Sequence, residues 1–139
     1  FLTGGKVLAD GGRAKGFFCE PTLVADLPLT HRLWQHEMFL PITTVAPIDS
    51  LEQAMTLAND VNYGLTAGFY GSEKETAWFF DQIEAGVTYA NRPQGATTGA
   101  WPGFQPFGGW KGSGSSGKNA GGYYYLPLYM HEQIQTLVR

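Results

Sequence analysis

The feature that most limits what this sequence can become is a run of alternating patterns between Ile42 and Asn91. Ile42 to Ala46 is β-branched and apolar, and reads as a buried strand. Ser50 followed by Gln53 forms a capping box, and Leu51, Ala54, Met55, Ala58 and Val61 then fall at helical spacing. Asn62-Tyr63-Gly64 reads as the end of that helix, with glycine free to take the left-handed conformation. Leu65 to Tyr70 is a second strand. Ser72 with Glu75 makes another capping box, and Thr76, Ala77, Phe80 and Ile83 line one face of a second helix running to Gly86. Gly86 to Asn91 closes the series as a third strand. Strand, helix, strand, helix, strand predicts a parallel sheet with flanking helices, so the fold class is α/β.

The flanks are less regular. Gly4 to Gly12 predicts a short strand closed by glycine turns, and Phe17 to Val24 a second extended piece with Pro21 at a boundary. From Arg92 to Gly122 no period survives. About thirty residues without an element is long for a compact domain, and such loops are usually functional or disordered. Glu132 to Val138 is strand-like, but its large polar residues suit an edge or a contact with another chain. The expected organisation is one body over residues 1–128, including the glycine-rich loop 92–122, followed by a strand at 129–139.

Composition excludes several function classes. With 12 acidic and 9 basic residues the formal net charge is -3, which does not suit a phosphate backbone as partner. No apolar run approaches the roughly 20 residues of a membrane-spanning helix, and Phe1 to Asp10 has no secretory pattern. The single Cys19 has no internal disulfide partner, which fits a cytoplasmic protein. The chain starts at Phe1 rather than Met and is expected to be part of something longer.

Gly112 to Asn119 satisfies two phosphate-binding patterns at once, G-x-G-x-x-G and G-x-x-x-x-G-K, with Asn119 where the second expects Ser or Thr. Both patterns need a strand before and a helix after, because the helix N-terminus supplies the amides and the dipole. Here Pro106-Phe107-Gly108-Gly109 precedes and Gly121-Gly122 then Pro127 follow, so neither reading is adopted.

Three other stretches carry a resemblance. Glu37-Met38-Phe39-Leu40-Pro41 resembles the E-I-F-G-P motif of the aldehyde dehydrogenases. Asn62-Tyr63-Gly64-Leu65-Thr66-Ala67-Gly68 resembles their N-x-Y-G-L-x-A segment. Gln105 to Gly114 resembles P-F-G-G-x-K-x-S-G. Their order and spacing agree, and the likeness covers essentially the whole chain. It implies the C-terminal part of the family's catalytic domain, with a C-terminal strand that pairs with another subunit in a homo-oligomer. Asn91-Arg92 and Thr98-Gly99-Ala100 are similar to the substrate-anchor loop of the 1-pyrroline-5-carboxylate dehydrogenases. That implies a small aldehyde substrate, glutamate γ-semialdehyde, with NAD or NADP as cofactor.

On this resemblance Glu37 would bind the nicotinamide ribose hydroxyls, two acceptor oxygens suiting a vicinal diol. Phe39 would pack on the nicotinamide and Phe107 would wall the aldehyde chain, with core packing as the rival reading of both rings. Gly99 and Ala100 would hold the substrate carboxylate, glycine letting backbone amides approach closely. Two departures stand out: Leu40 replaces a glycine beside the nicotinamide site, and Gly95-Ala96 offers a competing anchor pair. The family reaction uses a thiolate that attacks the aldehyde, and a glutamate base that helps hydrolyse the thioester. Cys19, between Phe18 and Glu20, has no activating motif and reads as a small buried hydrophobe. No catalytic residue is therefore expected here; nucleophile and base should lie upstream of Phe1. His31, His36 and His131 show no metal-ligand spacing, and Trp34 and His36 are expected only to shape the loop before Glu37. An aldehyde dehydrogenase for another aldehyde, or a non-catalytic binding or assembly module on the same fold, remain as alternatives.

Overall fold

The computed structural model describes residues 1–93 and 103–139. The chain forms two compact units, Phe1–Ala54 and Met55–Arg139.

In the first unit, β1 (Val7–Leu8) pairs antiparallel with β2 (Phe18–Cys19) around a 3-10 turn at Gly11–Lys15. The expected strand across Gly4 to Gly12 is thus cut to its two central residues. Gly4, Gly5 and Gly11 have φ of +73°, +88° and +54°, which no strand residue adopts. Thr22 fastens this crossing: its hydroxyl accepts the Gly5 N–H at 2.9 Å and donates to the Glu20 carbonyl at 2.8 Å. β3 (Thr22–Val24) runs parallel to β4 (Ile42–Thr44). Thr22 and Val24 are buried, but β4, expected to be buried, leaves Thr43 exposed and Ile42 and Thr44 only half covered. A two-stranded sheet has too few neighbours to bury both faces of each strand.

The unit boundary falls inside α1 (Leu51–Asn59). Its start departs from the expected reciprocal box: Ser50 Oγ accepts the Gln53 N–H at 3.1 Å, but Gln53 Oε1 reaches one residue further back, to the Asp49 N–H at 2.6 Å. The helix stops at Asn59, short of Gly64. Gly64 is not a left-handed cap but the buried residue of β5 (Tyr63–Gly64).

The second unit is built on β6 (Thr66–Phe69), α2 (Glu73–Gln82) and β7 (Val87–Ala90), with β6 and β7 parallel. α2 carries the full capping box expected of Ser72 and Glu75. Of the expected inward face, Ile83 is buried and Thr76 half-buried, but Phe79 takes the place of Phe80 and Ala77 is exposed. Phe79, Ile83 and Ala85 form the core with Met55, Ala67, Phe69 and Trp78 packed on it, whereas Phe80 stays half exposed. Phe79 stacks on Phe69 of β6 with ring centroids 5.1 Å apart, and burying such a ring contributes about 2–3 kcal/mol. Adjacent phenylalanines look alike to any periodicity, so the strand partner decides which one turns inward.

Among the described residues the strands make four two-stranded sheets instead of one. The class is α/β as expected. The stretch 92–122, read as lacking elements, contains β8 (Trp110–Lys111), antiparallel to β5, and an isolated bridge between Phe107 and Ala120. A further 3-10 turn spans Leu126–Tyr129, and residues 130–139 hold no regular element.

Candidate functional site

The loop from Glu37 to Pro41 is prepared by the segment before it. His31 Nδ1 accepts the Leu33 N–H at 3.2 Å, capping a 3-10 turn at Arg32–Trp34. Trp34 Nε1 donates to the Pro28 carbonyl at 3.1 Å, and the His36 N–H donates to Arg32 O at 2.9 Å. These residues shape the loop, as expected. At the far end the Pro41 carbonyl accepts the Thr22 N–H at 2.8 Å and Leu40 O accepts the Ile42 N–H at 2.8 Å. Held at both ends, the loop turns Phe39 into the left-handed region, φ +51°, with the residue 90% exposed. A bulky residue there is uncommon and costs about 1 kcal/mol or more. Glu37 is exposed too, and neither ion pair among the described residues, Arg13–Asp10 and Lys111–Glu84, uses it. The loop therefore offers a free carboxylate and an uncovered aromatic face two residues apart. That pair suits a sugar diol and a planar heterocycle.

In the second unit the segments Asn62–Gly68 and Gln105–Gly114 meet each other. β5 and β8 align Tyr63 with Lys111 and Gly64 with Trp110. The Gly112 N–H donates to Asn62 O at 2.8 Å and the Gly64 N–H to Ser113 Oγ at 3.1 Å. Phe107 and Ala120 exchange backbone bonds of 2.7 and 2.9 Å, closing the loop at its base. The glycines are required by contact. A Cβ on Gly64 would lie 2.5 Å from Glu84 O, one on Gly112 2.7 Å from Asn62 O, and one on Gly86 would run into the carbonyl of Gly108. Bare backbone packs on bare backbone.

This accounts for the run Gly112 to Asn119 without a phosphate. No helix follows Asn119 before the short turn Leu126–Tyr129, and the Lys118 ammonium sits 4.3 Å from the centroid of the Tyr124 ring. Phe107 is partly buried at the base of the loop.

Gly99 and Ala100 lie outside the described residues, as does the competing Gly95-Ala96. The chain leading to them leaves the C-terminal end of β7, the end at which parallel α/β sheets place ligands. Asn91, at φ +50°, bonds Gly71 twice: its Oδ1 accepts the Gly71 N–H and its Nδ2 donates to Gly71 O, both at 2.9 Å. Tyr70 Oη donates to Arg92 O at 2.8 Å.

Cys19 is partly buried in β2, opposite Val7. His131 is exposed. Among the described residues no group of three or more His, Cys, Asp or Glu is placed to hold a metal ion. Sequence reasoning misses Asn59, the last residue of α1: its amide donates to the Gln82 carbonyl at 2.9 Å and its own carbonyl accepts from Lys111 Nζ at 2.5 Å. A polar residue that closes a helix is the signal that was there to read.

The sequence model described as the Aldehyde dehydrogenase family matches residues 1–134. A 1-pyrroline-5-carboxylate dehydrogenase of Bacillus licheniformis is 39% identical over 137 residues, 98% of this chain and 25% of that protein. The structure of a 1-pyrroline-5-carboxylate dehydrogenase variant from Thermus thermophilus is similar with a TM-score of 0.78 at 37% identity, covering 91% of this chain and 23% of its own. A second Thermus 1-pyrroline-5-carboxylate dehydrogenase structure, with bound NAD, gives a TM-score of 0.68 at 37% identity over 78% of this chain and 20% of its own. The chain spans about a quarter of the length of the curated relatives it matches.

Proposed function

The chain belongs to the aldehyde dehydrogenase family, and from that premise we propose that it is the C-terminal portion of an enzyme oxidising L-glutamate γ-semialdehyde to glutamate in proline catabolism. The observation that carries the substrate is the likeness, over 98% of the chain, to a protein named 1-pyrroline-5-carboxylate dehydrogenase. The cyclic imine and the open semialdehyde are interconverted by water.

NAD or NADP, when bound, supplies the hydride acceptor. The Glu37 carboxylate would take the nicotinamide ribose hydroxyls, and the exposed Phe39 ring would pack on the nicotinamide; the bound NAD of the Thermus relative supports that choice of cofactor. Gly99 and Ala100 hold the α-carboxylate through backbone amides, and Phe107 walls the carbon chain between anchor and aldehyde. The nucleophilic cysteine and the glutamate base come from the remainder of the enzyme. Cys19 is structural, partly buried in β2 opposite Val7, and the isolated chain is inactive. Residues 129–139 form a strand only when paired with a second subunit. The described residues include no helix long and apolar enough to cross a membrane, and we assign the enzyme to the cytoplasm.

The test is formation of NADH or NADPH by the full-length enzyme with glutamate semialdehyde and with a panel of aliphatic aldehydes, the 139-residue chain serving as control. A preference for glutamate semialdehyde with a silent chain is the expected result. A preference for aldehydes without an α-carboxylate moves the assignment elsewhere in the family. Turnover by the chain alone overturns the structural role of Cys19.

A further inference from the structure

At Lys111 the backbone asks for glycine and the sequence supplies lysine. Its φ is +52°, a conformation that glycine adopts freely and an L side chain adopts at a cost. What offsets that cost is visible at the end of the side chain. The Lys111 ammonium lies 2.5 Å from the Asn59 carbonyl oxygen and 2.5 Å from a carboxylate oxygen of Glu84. Asn59 is the last residue of α1, so the cation meets the negative end of that helix. The Asn59 amide in turn donates to the carbonyl of Gln82, the last residue of α2, and accepts the Glu84 N–H, both at 2.9 Å. One lysine therefore ties β8 to the ends of both helices.

Phe107 and Lys111 bracket Gly108 and Gly109, which have no side chains with which to fix themselves. The loop is secured at its base by the Phe107–Ala120 bridge and beyond the glycines by β8 and Lys111. If the ammonium lets go, β8 keeps only a two-residue ladder and the contacts of Gly112 and Ser113, and the carbonyl of Gly108 is free to draw back from Gly86.

We propose that Lys111 is a positioning residue: it pins the glycine loop and so sets the place of the Phe107 ring against the aldehyde. The proposal rests on the reading of Phe107 as a substrate wall. It is tested in the full-length enzyme with Lys111→Met, Lys111→Arg and Lys111→Gly. Amide hydrogen exchange at Phe107, Gly112 and Ala120 reads the pin, and the separation of KM from kcat reads the ring.

Lys111→Met should speed exchange at these amides about tenfold, the scale expected for a lost charge-assisted hydrogen bond. It should also raise KM several-fold with little change in kcat. Arginine should restore most of both. Lys111→Gly relieves the backbone but carries no ammonium, and should behave as the methionine variant does. Unchanged exchange in Lys111→Met overturns the proposal, and so does wild-type protection in Lys111→Gly. Where methionine prevents folding, glycine against arginine gives the same comparison. Faster exchange with an unmoved KM overturns the proposal if Phe107→Ala raises KM. If Phe107→Ala is also without effect, it is the wall reading of Phe107 that falls.

Discussion

At Gly86 the chain enters β7 with its α-carbon against the carbonyl of Gly108, while at Gly12 the space around the α-carbon is open to 4 Å. Both sit at ordinary negative φ, so torsion does not separate them and volume does. Gly86→Ala should destabilise the protein by about 2 kcal/mol, the usual cost of forcing one carbon into closed packing. Gly12→Ala should stay within about 0.5 kcal/mol. Urea denaturation checks both, as a shift in midpoint at constant slope. Equal midpoints for the two variants would mean that the backbone relaxes around Gly86. Phe39 is the reverse case, a bulky residue at a torsion that glycine would prefer, and there the side chain is what the loop displays. At Gly64 the local pattern, a glycine after a helical period, pointed only to freedom of torsion. That is why Gly64 was expected as a helix cap when its burial in β5 is the reason for it.

The element whose stability can be followed most directly is α2. Ser72 Oγ accepts the Glu75 N–H at 3.4 Å, and the Glu75 carboxylate takes the Ser72 hydroxyl at 2.5 Å and the Ser72 N–H at 2.8 Å. Those bonds, the hydroxyl first and the backbone second, hold the Glu75 carboxyl below the ordinary glutamate value. A depressed folded value stabilises above the unfolded value, and the effect fades as pH falls through the folded one. Ser72→Ala should cost about 1 kcal/mol near neutrality. The gap between variant and wild type should narrow with acidification from the ordinary glutamate range downward, as followed by circular dichroism. A gap that widened in acid would contradict the assignment. This helix, β6 and β7 were legible because each signal is local: a cap, a period, a β-branched run. β8 was not, since Trp110-Lys111 becomes a strand only through Tyr63-Gly64, far away in sequence. The motif loops were legible as patterns, whereas the reason for their glycines is a set of contacts that no local rule contains.

At the scale of the whole molecule the tail remains open to a partner. Ile134, Leu137 and Val138 are 95, 78 and 88% exposed. If residues 129–139 pair with a second subunit, deleting Gln133 to Arg139 from the full-length enzyme should shift its sedimentation toward the monomer; an unchanged profile would refute that role. The interlock of Gly64, Gly86, Gly108 and Gly112 bears on something else, how this protein can change. A lost fit between two large side chains can be repaired by enlarging the neighbour. An intrusion onto a bare carbonyl cannot be repaired by shrinking anything, because no residue is smaller than glycine. New substrate preferences must therefore be sought in the segments on either side of the interlock. A library that randomised 108–114 would lose most of its members before any aldehyde was offered to them.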